Sequence, residues 1–200
     1  MLIKICGLNP SRDVQICLDL RVNFLGFIFY KKSPRNLELP DLDILKTYDK
    51  KKSSFVAVTV NPSDEFIERL KATSIDYIQL HGSEDNDRIK EIKENSKFKI
   101  IKAIKVESSE DISEYKKYDQ AEIILFDTPG MEKSIEFPQN LIKDLPKGDR
   151  FAVAGGVSVD TVKKLTKLGI KFLDLSSSVE SNVGYKDHKK IEALMKKIYD

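Results

Sequence analysis

Short apolar runs alternate along this chain with longer segments in which apolar residues recur at helical spacing. The apolar runs predict eight strands, at residues 2–6, 24–29, 54–60, 76–80, 98–103, 122–127, 150–154 and 171–176. The segments that follow them predict eight helices, at residues 11–20, 38–47, 63–71, 84–95, 109–117, 138–144, 158–167 and 187–198. The pattern therefore predicts repeated strand–helix units.

Residues that start or stop helices lie at the borders of several predicted helices. Ser63, Ser83 and Ser158 are expected to cap helix N-termini, because a serine hydroxyl can accept a hydrogen bond from the first free N–H groups. Gly169 is expected where a helix ends, because glycine adopts the left-handed conformation that terminates helices.

The alternation of strands and helices predicts a parallel sheet covered by helices. Eight units in 200 residues, about 25 residues each, favour a closed barrel over an open doubly wound sheet. The open alternative lacks support, because no G-x-G-x-x-G sequence follows the first strand. We therefore expect an α/β protein in which residues 1–200 form a single-domain (β/α)8 TIM barrel, with functional side chains at the carboxyl ends of the strands.

The charge of the chain is high but balanced, with 34 Lys and Arg against 32 Asp and Glu and a net charge of +2. No segment is dominated by charges of one sign, which argues against a protein that binds nucleic acids or membrane surfaces. No apolar run approaches the ~20 residues of a membrane-spanning helix, and no signal-peptide pattern opens the sequence. We expect a cytoplasmic protein that acts as a monomer or homodimer on a small molecule.

Two cysteines and two histidines are too few and too far apart for a disulfide framework or a zinc site. Cys17 lies among apolar residues at helical spacing, which predicts a buried structural thiol. Cys6 ends the first strand before a glycine, where we expect an exposed, usable thiol, and Asp127 ends the sixth strand. A thiol that has lost its proton and a carboxyl group that has kept one are suited to proton transfer.

The alternation of side chains along a strand indicates which polar residues share a face. Lys4 shares a face with Cys6, where its ammonium group would stabilise a thiolate or hold a substrate anion. The alternative is that Lys4 pairs with an interior carboxylate such as Asp174 for stability alone. Gln79 shares a face with His81 in the fourth strand.

Two glycines follow the seventh predicted strand, and a run of serines follows the eighth. Gly155 and Gly156 allow backbone N–H groups to approach an anion, although such a pair can also be only a turn. Ser176 and Ser177 add hydroxyl groups and further amides. Because the loops after strands seven and eight often bind phosphate in TIM barrels, these residues together predict a phosphate site.

The order of these motifs resembles that of the phosphoribosylanthranilate isomerase family over almost the whole chain. The resemblance rests on Lys4-Ile5-Cys6-Gly7-Leu8, Gly26-Phe27-Ile28-Phe29, Ser33-Pro34-Arg35, Ile78-Gln79-Leu80-His81-Gly82, Leu125-Phe126-Asp127-Thr128, Ala154-Gly155-Gly156-Val157, Asp174-Leu175-Ser176-Ser177-Ser178-Val179-Glu180 and Gly184-Tyr185-Lys186-Asp187. It implies the Amadori rearrangement of N-(5-phosphoribosyl)anthranilate in tryptophan biosynthesis, without a cofactor or metal.

The resemblance also implies roles for individual residues. Asp127 matches the general acid that protonates the furanose ring oxygen, and Cys6 matches the general base that removes the proton from C2′. Arg35 matches the residue that binds the anthranilate carboxylate, for which its planar fork is suited. Further substrate contacts are assigned to the inward-facing polar residues, and phosphate contacts to the two loops: Lys4, Gln79, His81 and Asp174, then Gly155, Gly156, Ser176 and Ser177.

Residues 129–137 depart from the family pattern, because this loop is shorter and lacks the glycine-rich sequence expected after the sixth strand. Other phosphate-binding barrels are alternatives, but indoleglycerol-phosphate synthase needs a lysine–glutamate set and an N-terminal extension. A sugar-phosphate epimerase needs a metal-binding histidine pair, which the two distant histidines of this chain cannot supply. A catalytically silent ligand-binding barrel is the alternative from another class, although it would need neither Cys6 nor Asp127.

Overall fold

The computed structural model describes residues 1–128 and 137–199, and it contains the predicted barrel. Its eight strands are β1 (Leu2–Cys6), β2 (Phe24–Phe29), β3 (Ser54–Thr59), β4 (Tyr77–Leu80), β5 (Lys99–Lys105), β6 (Ile123–Asp127), β7 (Phe151–Val153) and β8 (Phe172–Leu175). Each strand pairs in parallel with the next, and β8 pairs with β1 to close the barrel. The predicted single-domain (β/α)8 fold is confirmed, whereas the domain limits 1–200 stay a prediction.

Helices follow the strands in the predicted order. They are α1 (Val14–Asp19), α2 (Asp64–Leu70), α3 (Asn86–Asn95), α4 (Ser109–Ser113), α5 (Gln139–Ile142), α6 (Val159–Lys167) and α7 (His188–Tyr199). The predicted helix at 38–47 is a 3-10 helix, Leu39–Thr47, and the segment after α4 continues as a 3-10 turn, Glu114–Lys117. Within the described residues, no helix is long and apolar enough to cross a membrane.

Two of the three predicted N-terminal caps are confirmed. The side chains of Ser63 and Ser158 accept hydrogen bonds from the first turns of α2 and α6. The prediction for Ser83 is wrong, because Asp85 caps α3 by accepting a 2.8 Å hydrogen bond from the N–H of Arg88. A carboxylate two residues farther along the chain reaches the free N–H groups of this helix.

The apolar side chains form two layers, one on each face of the sheet. The outer layer packs the sheet against the helices and contains Cys17, which is fully buried as predicted. The inner layer fills the barrel with alternate strand residues, including Phe24 and Phe172, whose rings stack with centroids 4.9 Å apart. Cys6 belongs to this inner layer, so the first strand points its last side chain into the barrel.

A short antiparallel hairpin after β8 is absent from the predicted elements. Its strands are β9 (Glu180–Asn182) and β10 (Tyr185–Lys186), and Lys186 lies opposite Glu180 in the register. The turn between them uses Gly184 in the left-handed conformation, with φ +80°. The hairpin approaches the loop after β2, since a Cβ atom on Gly184 would lie 3.4 Å from the carbonyl oxygen of Pro34.

Candidate active site

Lys4 and Asp174 form a buried ion pair inside the barrel. They are neighbours in the β1–β8 register, and Lys4 Nζ donates a 2.6 Å hydrogen bond to Asp174 Oδ2. Burial disfavours the ammonium form of Lys4, but Asp174 and then Cys6 outweigh burial and raise the pKa of Lys4. The pair with Asp174 that was the alternative for Lys4 is therefore present, and Lys4 also lies beside Cys6, as strand parity predicted.

Cys6 is buried, with 8% of its surface exposed, so the expectation of an exposed thiol is wrong. Burial raises the pKa of Cys6, and Asp174 adds to this, whereas Lys4 and Lys186 favour the thiolate. The net direction is upward, so the free protein holds Cys6 as a neutral thiol. Gly26 leaves room for it, because a Cβ atom there would lie 3.2 Å from Cys6 Sγ.

Asp127 ends β6 and contacts a histidine from the end of β4. His81 Nε2 lies 3.2 Å from Asp127 Oδ2, and the backbone N–H of Thr128 donates to Oδ1 at 2.9 Å. About one fifth of each side chain is exposed, 21% for His81 and 22% for Asp127. The fold thus brings together two predicted site residues and leaves Asp127 accessible at the barrel mouth.

Two buried amide or carboxylate oxygens lack hydrogen-bond partners within the part of the chain that the structure describes, as does the buried hydroxyl group of Ser178. They are Oε1 of Gln79, which lies two residues before His81, and Oδ1 of Asp174. An unpaired buried acceptor is costly, and a donor on a ligand or a water molecule would relieve that cost. Both residues are therefore suited to accept hydrogen bonds from substrate hydroxyl groups.

Arg35 lies beside the thiol but already binds a protein carboxylate. Its Nε and Nη2 atoms donate to the two oxygens of Glu180, each at 2.7 Å. Among residues 1–128 and 137–199, Nη1 has no acceptor, so one edge of the guanidinium group is available. Gly7, with φ +75°, makes space for this side chain, because a Cβ atom there would lie 2.5 Å from Arg35 Cδ.

The predicted phosphate residues lie after β7 and β8, as expected. Gly155 and Gly156 have φ values of +88° and +58°, a conformation that favours glycine. A Cβ atom on Gly155 would also clash with Thr128 Oγ1. The hydroxyl of Ser176 donates to the carbonyl oxygen of Cys6 at 3.1 Å, and Ser177 begins a 3-10 turn. The phosphate assignment stays a prediction.

Glu180 and Lys186 are residues of this site to which sequence reasoning gave no role. Lys186 Nζ donates to Glu180 Oε1 at 2.7 Å and to the carbonyl oxygen of Ser176 at 3.0 Å. Both residues lie in short polar stretches, where the hydrophobic pattern does not indicate burial. Their presence in the motifs shared with the family was the available signal. The atypical loop at 129–137 lies outside the described residues except for Phe137.

The chain is similar to known proteins over nearly its whole length. The family model described as N-(5′-phosphoribosyl)anthranilate (PRA) isomerase matches residues 3–197. The N-(5′-phosphoribosyl)anthranilate isomerase of Staphylococcus haemolyticus is 33% identical, over 99% of this chain and 98% of the relative. The match therefore extends from the first strand to the last helix.

Solved structures show the same fold. The phosphoribosyl anthranilate isomerase of Thermus thermophilus has a TM-score of 0.88 at 23% identity, covering 100% of this chain and 98% of that chain. Another such isomerase, solved with reduced 1-(o-carboxyphenylamino)-1-deoxyribulose 5-phosphate, has a TM-score of 0.83 at 25% identity and the same coverage. The family match over nearly all residues, together with this barrel, confirms the expected isomerase: the chain belongs to the N-(5′-phosphoribosyl)anthranilate isomerase family.

Proposed function

We propose that Cys6 and Asp127 carry out the Amadori rearrangement of N-(5-phosphoribosyl)anthranilate to 1-(2-carboxyphenylamino)-1-deoxyribulose 5-phosphate. The observation that carries this proposal is the placement of the two groups at the carboxyl ends of β1 and β6, facing the barrel mouth. A solved family member holds a reduced form of this product, which supports the same ligand class here.

Asp127 acts first, as the general acid. It donates its proton to the furanose ring oxygen while the bond from that oxygen to C1′ breaks, and the nitrogen lone pair forms a C1′=N iminium group. His81 and the N–H of Thr128 contact the two carboxyl oxygens and orient the group. The ring is then open, and the iminium can accept an electron pair.

Cys6 acts second, as the general base. It removes the proton from C2′, and the electron pair moves into the iminium to give an enaminol, which becomes the ketone when C1′ gains a proton and the hydroxyl group on C2′ loses its own. The substrate itself provides the electron sink. Lys4 and Lys186 offset the negative charge on sulfur in this step.

The two groups need one proton between them. Cys6 as thiolate with Asp127 as acid carries the same total charge as Cys6 as thiol with Asp127 as carboxylate. The reactive form is therefore reached by moving a proton within the site, without changing its net charge. This accounts for a base whose thiol is neutral in the free protein.

The remaining predicted residues hold the substrate. The available edge of Arg35 binds the anthranilate carboxylate, and Gln79 and Asp174 accept hydrogen bonds from the sugar. The loops after β7 and β8 bind the phosphate through backbone N–H groups. In this proposal the anthranilate, the sugar and the phosphate of the substrate each contact a separate part of the site.

The test is an assay with freshly generated N-(5-phosphoribosyl)anthranilate, following the loss of anthranilate fluorescence. We expect turnover by the unaltered chain and its loss in Cys6→Ala and in Asp127→Asn. A catalytically silent barrel would bind the substrate without changing its fluorescence over time. Turnover that survives in both variants would overturn the assignment of this pair.

A further inference from the structure

One glutamate joins two cations beside the thiol. We call Arg35, Glu180 and Lys186 the Glu180 cluster. The Glu180 side chain is 4% exposed, that of Lys186 is 0% exposed and that of Arg35 is 11% exposed. Glu180 Oε1 accepts from Arg35 Nε and from Lys186 Nζ, and Oε2 accepts from Arg35 Nη2, all at 2.7 Å.

The cluster is also connected to the base and to the loop after β8. Lys186 Nζ donates to the carbonyl oxygen of Ser176, and the hydroxyl of Ser176 donates to the carbonyl oxygen of Cys6. Glu180 and Lys186 come from the two strands of one hairpin, opposite each other in its register. A short chain of contacts therefore links the residue proposed for the carboxylate, the base and the segment proposed for the phosphate.

We propose that Glu180 and Lys186 are positioning residues of the isomerisation. Glu180 fixes Arg35 with its free edge available to the substrate carboxylate, and Lys186 holds the segment after β8 in place beside Cys6. This inference rests on the proposed roles of Arg35 and Cys6.

The geometry of the guanidinium group explains the role of Glu180. Arginine has five N–H donors in a rigid plane, and a carboxylate occupies one edge through two of them. With Nε and one Nη2 proton held by Glu180, the edge formed by Nη1 and Nη2 keeps a fixed direction. Substrate binding then avoids the entropic cost of ordering a long side chain.

The charge of the Glu180 cluster distinguishes positioning of Arg35 from simple attraction of an anionic substrate, because the two predict opposite changes in KM. With Arg35 and Lys186 charged, the cluster carries a net charge of +1, and Glu180→Gln raises it to +2. If the cluster only attracted an anionic substrate, Glu180→Gln would lower KM. Positioning predicts the opposite, a rise in KM of about tenfold or more from the loss of a charge-assisted contact.

The positive charge of Lys186 also affects the pKa of Cys6. The charged groups that face Cys6 are Lys4 from β1, Asp174 from β8, Arg35 from the loop after β2 and Lys186 from β10. Because the positive charge of Lys186 lowers the pKa of Cys6, Lys186→Met should move the limb set by Cys6 in the pH profile of kcat/KM to higher pH. Lys186→Arg should restore most of this shift, since it restores the charge.

The experiment measures KM, kcat and the pH profile for Glu180→Gln, Glu180→Asp, Lys186→Met and Lys186→Arg, each checked for folding by circular dichroism. Glu180→Asp keeps the charge but moves the carboxylate by one methylene group, so positioning predicts a higher KM here too. It therefore gives a result even if Glu180→Gln does not fold. We expect both Glu180 variants to lose substrate affinity with little change in kcat.

Lys93→Met is the matched control, because Lys93 also pairs with a glutamate and a backbone carbonyl, Glu122 and Gln120, but at the opposite end of the barrel. The inference is overturned if the Glu180 and Lys186 variants match Lys93→Met in KM and pH profile, or if Glu180→Gln lowers KM. Unaltered turnover in Cys6→Ala and Asp127→Asn would instead overturn the proposed function, so the two failures are distinguishable.

Discussion

The two cysteines of this chain lie in different layers of the same barrel. Cys6 faces the inner layer beside Lys4, whereas Cys17 lies on the buried face of α1 in the outer layer, where burial raises its pKa to about 12. We expect Cys6→Ala to lower kcat by the ~10²–10⁴-fold typical of a lost general base, with folding retained. Cys17→Ala, the matched control, should keep nearly full kcat and lose a little stability. Equal rates in the two variants would contradict the role of Cys6.

Arg35 is the second residue whose environment makes a distinct prediction. Arg35→Lys should raise KM, because an ammonium group can neither satisfy both oxygens of Glu180 nor present a planar edge to the substrate. The control is a substrate analogue that lacks the carboxylate. Its inhibition constant is measured for the unaltered chain and for Arg35→Lys. We expect a much smaller change for the analogue. An equal loss for both compounds would assign Arg35 a structural role only.

Two parts of the site have different proposed roles. The loops after β7 and β8 bind the phosphate, whereas the end of β6 carries the general acid. Inorganic phosphate should inhibit competitively, since backbone N–H groups recognise the oxyanion alone. Gly156→Val should raise KM, because a side chain obstructs the anion and is strained at φ +58°. Asp127→Asn should instead lower kcat with KM largely kept, because proton donation matters only in the transition state.

Steady-state kinetics with and without phosphate separate these outcomes. If Asp127→Asn changed only KM, or if phosphate failed to inhibit, the division between binding loops and acid would be wrong. The control is Gly148→Ala, at the opposite end of β7, where the only described atom that a Cβ atom would meet is in the Phe151 ring, at 3.9 Å. Its φ of +134° predicts some loss of stability without a change in phosphate inhibition.

Buried ion pairs between loops and strands contribute to the stability of the whole barrel. Glu84 accepts from Lys102 Nζ at 2.8 Å and from the N–H groups of Asn61 and Gly82, and its side chain is 3% exposed. Lys102→Met leaves this carboxylate buried without a cation, so we expect the free energy of unfolding to fall by ~3–5 kcal/mol in urea denaturation. Lys117→Met, which breaks an exposed pair, should lower the free energy of unfolding far less, because an exposed ion pair is screened by water.

The Glu180 cluster predicts how stability depends on pH. Burial would raise the pKa of Glu180, but the contacts with Arg35 and Lys186 outweigh burial and lower it below the ordinary value of 4.5. The unfolded chain therefore binds a proton at higher pH than the folded chain. The resulting stability is present above pH 4.5 and is lost as the pH falls through the folded pKa.

Urea unfolding of the unaltered chain and of Glu180→Gln between pH 7 and pH 3 measures this effect. We expect the difference in unfolding free energy between them to shrink as the pH falls below 4.5. A difference that stayed constant over this range would show that Glu180 has the same pKa in the folded and unfolded states.

The order of strands and helices could be predicted from the sequence, because side chains repeat every two residues in a strand and every 3.6 in a helix. Strand parity also placed Lys4 beside Cys6, and the barrel then paired Lys4 with Asp174. The hairpin of β9 and β10 could not be predicted from periodicity, because its strands are too short and polar to show a repeat.

The contacts that join distant parts of the chain could not be predicted from local patterns and are set by the folded barrel. Arg35 and Glu180 are 145 residues apart, and His81 meets Asp127 from a strand that is not its neighbour in the sheet. Barrel closure also buried Cys6, although its local sequence indicated exposure. Local periodicity determines which face of a strand or helix a residue occupies. Strand register and the paths of the loops determine which residues that face contacts. Both depend on the packing of the whole barrel.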